Sequence, residues 1–213
     1  DTPSLKPLPI LEDGSKVIYV IQRNNIKAEE EIKLFVKDIA TTLKKIRSVA
    51  KYIRTEYIRD IIYGKKEEKK KIRLRIEDNF EYTNINAIYK YKVSIEEGIK
   101  KEIEETIYRG NCIEDSKRII ELQGDFSEEN SYEKTRVLFM DEYDTEITLD
   151  IYPFGTWLEI EGEPNRIHHL AEKMGYSTKD YINNNADELY IEWIKNNNLP
   201  EMWDVRFGLN GKK

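Results

Sequence analysis

Glu29-Glu30-Glu31-Ile32-Lys33-Leu34-Phe35-Val36 places Glu29, Glu31 and Lys33 in one phase and Ile32, Leu34 and Val36 in the other. Side chains alternate across a strand, so this stretch has one charged face and one apolar face. The pattern recurs along the chain. Arg73/Arg75, Lys90/Lys92, Glu102/Glu104, Lys134/Arg136 and Glu159/Glu161 are further same-sign pairs at i and i+2. Ile72, Leu74 and Ile76 alternate with the first of these pairs, and Leu158 and Ile160 with the last. Any one such pair is the solvated face of an ordinary antiparallel strand. Six together, segregated by sign, predict a closed barrel whose charged faces converge on a wet lumen and whose apolar outside is covered.

The rest of the chain is consistent with that architecture. At 213 residues it is long enough for one domain with its own core. Charged residues make up 36% against 39% hydrophobic, and the net charge is −6, which argues against a non-specific nucleic-acid binder. A single cysteine, Cys112, rules out an intrachain disulfide and a thiolate metal cluster. No apolar run approaches the ~20 residues that span a bilayer, and the start is polar and proline-bearing. These features predict a cytoplasmic protein with no membrane partner. The chain begins at Asp1 rather than Met, which leaves it open to being part of something longer.

Residues 1–25, with Pro3, Pro7, Pro9 and Gly14, read as an N-terminal arm carrying a short strand at 17–21, and residues 26–213 as the barrel with C-terminal helices. Asp38 is an N-cap for a helix bearing Ile39, Leu43 and Ile46. The run 65–71 reads as a solvated turn between strands. Residues 94–107 support two readings. Ser94 with Glu97 and isoleucines at 95, 99, 103 and 107 fit a helix, and Gly98 fits a hairpin, which is the expectation adopted. Residues 113–122 read as a helix, 135–140, 146–152 and 157–161 as strands, and 166–174 and 186–195 as helices. The fold class is α+β, an antiparallel and largely closed barrel of about eight strands with helices outside. His168 and His169 have no partner at metal-site spacing, and Trp157, Trp193 and Trp203 read as packing residues.

Acidic pairs from opposite ends of the chain, Glu29/Glu31 and Glu159/Glu161, meet if the first and last strands approach. Hard divalent cations take such oxygen ligands together with phosphate oxygens, while arginine forks and lysine charges grip phosphate. The Glu29-Glu30-Glu31-Ile32-Lys33 motif resembles the ExExK signature of the CYTH family, the triphosphate tunnel metalloenzymes. Asp60 with Tyr63 is similar to its D-x-Y region, Leu74-Arg75 following Arg73 to its L-R-x-R strand, Lys90 or Lys92 to its tunnel lysine, Glu102-Ile103-Glu104 to its middle acidic strand, Lys134-Thr135-Arg136 to its K-x-R strand, and Asp150 with Glu159-Ile160-Glu161 to its late aspartate and closing strand. The motifs follow in order over residues 28–195, although ExExK here lies unusually far into the chain.

The resemblance implies Glu29, Glu31, Glu159 and Glu161 as metal ligands with Asp150 and Glu104 behind them, and Lys33, Arg73, Arg75, Lys90, Lys92, Lys134 and Arg136 as triphosphate-binding residues. It implies Mg²⁺ or Mn²⁺ as cofactor and a small-molecule triphosphate as partner. The catalytic base is not identifiable from sequence. The expected reaction is hydrolysis of an inorganic or organic triphosphate. The alternatives are a class IV-type adenylate cyclase that makes cyclic AMP and pyrophosphate from ATP, and a non-catalytic polyphosphate- or nucleotide-binding module. Repulsion among clustered carboxylates predicts that Glu159→Gln leaves stability unchanged or raised.

Overall fold

The computed structural model describes residues 26–65, 68–78, 81–200 and 204–208. The elements run β1 (Ile26–Phe35), α1 (Ile39–Arg47), β2 (Lys51–Lys65), β3 (Glu68–Asp78), β4 (Thr83–Glu96), β5 (Ile99–Gly110), α2 (Ile113–Glu121), β6 (Ser127–Met140), β7 (Glu146–Tyr152), β8 (Gly155–Glu161), α3 (Pro164–Lys173), β9 (Tyr181–Ile182), α4 (Ala186–Asn197) and β10 (Asp204–Val205). The expected arm, the strand at 17–21 and Trp203 lie outside the described residues, as do residues 66–67 of the expected turn. The rest of that charged run belongs to β2 and β3, so the connection is tighter than the sequence suggests.

The strand order is β6-β2-β3-β4-β5-β1-β8-β7, and pairing of β6 with β7 closes the sheet into an eight-stranded barrel whose pairings are all antiparallel. Two short strands extend this ring. β9 pairs with β1 at Lys33 and Leu34, beyond the point where β5 leaves it, and β10 runs parallel to β6 at Ser131 and Tyr132. No helix among the described residues is long and apolar enough to cross a membrane.

Local chemistry sets the connections. Asp38 caps α1 by accepting from Thr41 N at 2.5 Å. Residues 94–107 form the hairpin. Glu97 (φ 51°) and Gly98 (φ 82°) occupy the two positive-φ positions of a two-residue turn, which glycine adopts freely, and β4 ends at Glu96. Pro164 opens α3 at a position where a missing N–H costs nothing. Asn185 N donates to Glu188 at the start of α4.

Three apolar layers surround the ring. The outer faces of β1, β7 and β8 (Ile32, Leu34, Ile147, Leu149, Leu158, Ile160) pack under α1 and α3 through Ile46, Ile167, Leu170, Ala171 and Met174. Ile61, Ile72, Leu74, Ile85 and Ala87 on β2–β4 are covered by Ile120 of α2. In the third layer Leu189, Tyr190 and Ile194 of α4 pack on Ile62, Tyr132, Tyr152, Phe154 and Trp157. Ile62, Tyr132 and Tyr152 also line the lumen, as do Asn185 to Glu188, so α4 closes that end of the barrel.

Leu34, Leu158 and Leu149 lie in register across β1, β8 and β7, each 0% exposed. Leu158→Ala removes the middle one and is expected to cost about 2–5 kcal/mol in urea unfolding. Val93→Ser, at a site 58% exposed, is expected to stay within about 0.5 kcal/mol. A Leu158→Ala cost near that of Val93→Ser would contradict this packing.

Candidate active site

The lumen is a cavity of about 950 Å³. Of the residues expected at the site, Glu29, Glu31, Lys33, Arg73, Arg75, Lys90, Lys92, Glu104, Lys134, Arg136, Glu159 and Glu161 all line it. Strand parity explains this convergence, since each pair sits on the inward phase. Lys92 is at the exposed rim. Asp150 does not line the cavity. It is 0% exposed behind the wall, accepting from Arg136 Nε and Nη2 at 2.7 and 2.6 Å and from Lys134 Nζ at 2.5 Å. Its carboxylate is committed to holding two cations in place. Tyr63 is also outside the lumen. Its ring packs on the outer face beside Ile61 and its hydroxyl donates to Glu128, whereas Asp60 points inward and accepts from Arg75 at 2.8 Å through both oxygens.

Register decides which charges meet. Around most of the ring, opposite residues carry opposite charges, as in Asp60/Arg75, Arg136/Asp150, Lys33/Glu159 and Lys90/Glu104. The exceptions are Lys71 opposite Lys90 on β3–β4 and a set of acidic pairs along β5-β1-β8-β7. Glu29 faces Glu102, Glu31 faces Glu161, and Glu161 faces Glu146. Directly opposed like charges destabilise a sheet unless something cationic lies between them. The carboxylate oxygens of Glu29, Glu31 and Glu102 lie within 4.8 Å of one another, all three side chains buried. The family resemblance points to Glu104 behind the metal ligands, and the geometry adds Glu102. The two share a face, and only the β1–β5 register, which sets Glu102 opposite Glu29 and Glu104 opposite Lys27, separates them.

Lysines fill the gaps between these carboxylates. Lys33 lies 2.6 Å from Glu31 and 3.2 Å from Glu159, Lys90 lies 2.7 Å from Glu102 and 3.0 Å from Glu104, and Lys100 lies 2.6 Å from Glu31 and 3.1 Å from Glu102. Lys100, 2% exposed, was not singled out from sequence, although it stands two residues before Glu102 on the same face. Glu102 Oε2 is buried, with Lys90 Nζ as its ion-pair partner at 2.7 Å. Three buried carboxylates that bring oxygen ligands within 4.8 Å of one another fit a hard divalent cation. Across the ring β2 stands opposite β1, flanked by β3 and β6. These flanking strands carry Arg73, Arg75, Lys134 and Arg136, and Arg73 Nε is buried with no acceptor.

Titration follows from the same geometry. Burial acts to raise the Glu31 pKa, but Lys33, Lys90 and Lys100 outweigh it and hold the carboxyl well below its usual range. Asp60, Glu104 and Asp150 are likewise lowered against burial, by Arg75, Arg73 and Arg136 respectively. Burial and the adjacent Arg136 push Lys134 down to about 8, against the pull of Asp150. Glu161 goes the other way. Burial, then Glu29, lift it to about 7. Lys27, 2.5 Å away, opposes the rise, but that side chain is 60% exposed and water screens it.

No family model matches the chain, and no curated protein matches it. Solved structures do. A protein from Pyrococcus horikoshii OT3 superposes with a TM-score of 0.61 at 24% identity, covering 77% of this chain and 98% of that one. A Vibrio parahaemolyticus protein described as a candidate adenylate cyclase superposes with a TM-score of 0.61 at 18% identity, covering 76% and 98%. A candidate adenylyl cyclase from Hippeastrum with a dominant triphosphatase activity gives 0.53 at 16%, covering 83% and 99%. At these identities the likeness is one of fold. The chain shares its barrel fold with these proteins, the architecture that its motifs predict.

Glu159, paired with Lys33 and Arg136 (2.9 Å), is held below the ordinary carboxylate range against burial. The expectation that Glu159→Gln leaves stability unchanged or raised therefore passes to Glu161, whose counter-charge among the described residues is the exposed Lys27. A folded-state pKa above the ordinary 4.5 means that stability present in acid is lost as pH rises through about 7. In chelator-treated protein, Glu161→Gln is expected to raise Tm by roughly 3–6 °C at pH 8 and to leave it unchanged at pH 4.5. Glu159→Gln is expected to lower Tm at pH 8. Equal responses of the two variants in differential scanning calorimetry would refute this division.

Proposed function

We propose that this chain is a divalent-metal-dependent enzyme acting on a triphosphate, with hydrolysis as its reaction. The observation that carries the reading is the run of like-charge acidic pairs on β5-β1-β8-β7, facing an arginine- and lysine-bearing wall across one lumen closed by α4. A surface optimised for stability alone would not oppose glutamates in register. The metal cluster is Glu29, Glu31 and Glu102, with Glu159 and Glu161 beside it, and Mg²⁺ or Mn²⁺ is the proposed ion.

A divalent cation bound there supplies positive charge to phosphoryl oxygens and lowers the pKa of bound water. The chain's own residues do the positioning. Arg73 offers its unpartnered Nε to a phosphate oxygen, Arg75 and Arg136, whose Nε and Nη2 are held by Asp60 and Asp150, are left with their outer N–H groups for the anion, and Lys90 and Lys134 act as point charges. Asp60 and Asp150 fix Arg75, Lys134 and Arg136 before any anion arrives, which avoids reorganisation during reaction. Tyr132, Tyr152 and the α4 plug keep bulk water from one end of the lumen, which strengthens these interactions. Arg73 Nε, a buried donor awaiting an acceptor, is the clearest sign of an anion in this wall.

Hydrolysis is favoured over cyclisation by what lines the cavity. One charged wall is complementary to phosphate and the acidic one to its metal, whereas cyclisation also needs a ribose fixed for attack at the α-phosphorus. The dominant triphosphatase activity of the Hippeastrum protein on the same fold supports this choice. With Mg²⁺ or Mn²⁺ present, inorganic triphosphate is expected to be turned over at least as well as ATP, with little or no cyclic AMP formed from ATP. Arg73→Gln is expected to lower kcat/KM about a hundredfold or more with the far-UV circular dichroism unchanged. Cyclic AMP and pyrophosphate as main products from ATP, with inorganic triphosphate untouched, would instead select the cyclase. No turnover of any triphosphate would leave only a binding module.

A further inference from the structure

The acidic cluster is already occupied by part of the protein. Lys100 Nζ lies 2.6 Å from Glu31 Oε1, 3.1 Å from Glu102 Oε1 and 3.0 Å from Asn185 Oδ1 at the head of α4. It sits among the oxygens that a divalent cation would use, and it is among the largest fully buried side chains of the described core. Lys33 and Lys90 press on the same carboxylates from either side. Among the described residues the cavity is lined by ten carboxylates and ten ammonium or guanidinium groups, so the charges of its lining are equal in number. A cation entering alone competes with Lys100 for Glu31 and Glu102, and as it draws them away it leaves that ammonium buried beside a neutral acceptor. An anion entering alone must pull lysines and arginines off their carboxylates. When both enter, the displaced lysines gain phosphate oxygens and the released carboxylates gain the metal.

We propose, building on the triphosphate reading, that Lys100 is a resident counter-cation of the metal cluster and makes divalent metal and triphosphate bind as a unit. Lys100 is thus a positioning residue. It holds Glu31 and Glu102 in place before loading, and it sets how weakly metal binds by itself. Its third contact, to Asn185, ties the same ammonium to the helix that closes the lumen. Coupling of this kind is reciprocal, so each ligand must tighten the other by one common factor.

The test is isothermal titration calorimetry on the whole protein with Mn²⁺ and with a non-hydrolysable imido analogue of inorganic triphosphate, each alone and each at saturation with the other. Wild-type protein is expected to bind Mn²⁺ at least tenfold tighter with the analogue present, and the analogue tighter by the same factor with Mn²⁺ present. Lys100→Met is expected to tighten Mn²⁺ binding alone at least tenfold, shrink the coupling factor, and gain more Tm from Mn²⁺ than wild type does. Lys100→Gln, which keeps a donor toward Asn185, gives the same comparison if the methionine variant does not fold. If both ligands bind wild-type protein with no coupling, or if neither substitution changes the affinity for Mn²⁺ alone, the role of Lys100 is overturned while the triphosphate reading stands. Binding of neither ligand in any combination overturns both.

Discussion

Charge neutralisation inside a closed ring is the constraint on which the rest of the structure depends. Pairing β6 with β7 removes the sheet's open edges and turns every inward position into lumen, where an unpaired charge is far costlier than on a surface. The ion-pair network follows from that closure. Asp60 grips Arg75, Asp150 grips Lys134 and Arg136, and Lys33, Lys90 and Lys100 are shared among Glu29, Glu31, Glu102, Glu104 and Glu159. Such networks contribute little net stability relative to an apolar interior, because desolvation cancels much of the attraction. Their presence here points to a site built for a charged ligand, with stability supplied from outside the ring.

That supply is visible in the outer layers. The residues alternating with the lumen charges, Ile32 and Leu34 or Leu158 and Ile160, are within 1% of complete burial beneath α1 and α3. Each strand therefore serves two environments at once. A one-residue slip in register would put glutamates under α3 and leucines in the lumen, so the apolar shell fixes the alignment of the site. The same alignment sets Glu29 against Glu102 and Glu31 against Glu161, the contacts on which the metal reading rests.

Much of this was legible in the sequence because strand parity is a local property. The faces of β1, β3, β4, β6 and β8 follow from i, i+2 spacing alone, and the hairpin at Glu97 and Gly98 follows from one glycine. What parity does not contain is register between strands, and register is what separates the candidate residues on one face. Glu102 and Glu104 share a face, and their difference lies in which residue of β1 each meets. Asp150 has the parity of a ligand but stands across from Arg136. Most of β2, the longest strand, went unread, since charged and aromatic residues such as Arg54, Tyr57 and Arg59 mask its alternation. Lys100 was overlooked because a lysine beside glutamates looks like surface until the lumen closes around it.

The central claim is that the opposed glutamates of β1 and β5 hold metal while the arginines of β3 and β6 hold phosphate. Anomalous diffraction at the manganese edge, from crystals grown with Mn²⁺ and an imido analogue of triphosphate, tests it most directly. The account predicts a manganese peak coordinated by Glu29, Glu31 and Glu102, with phosphate density reaching Arg73 Nε. Manganese bound only at the outer surface, with the lumen ion pairs undisturbed and no phosphate between the walls, would contradict it.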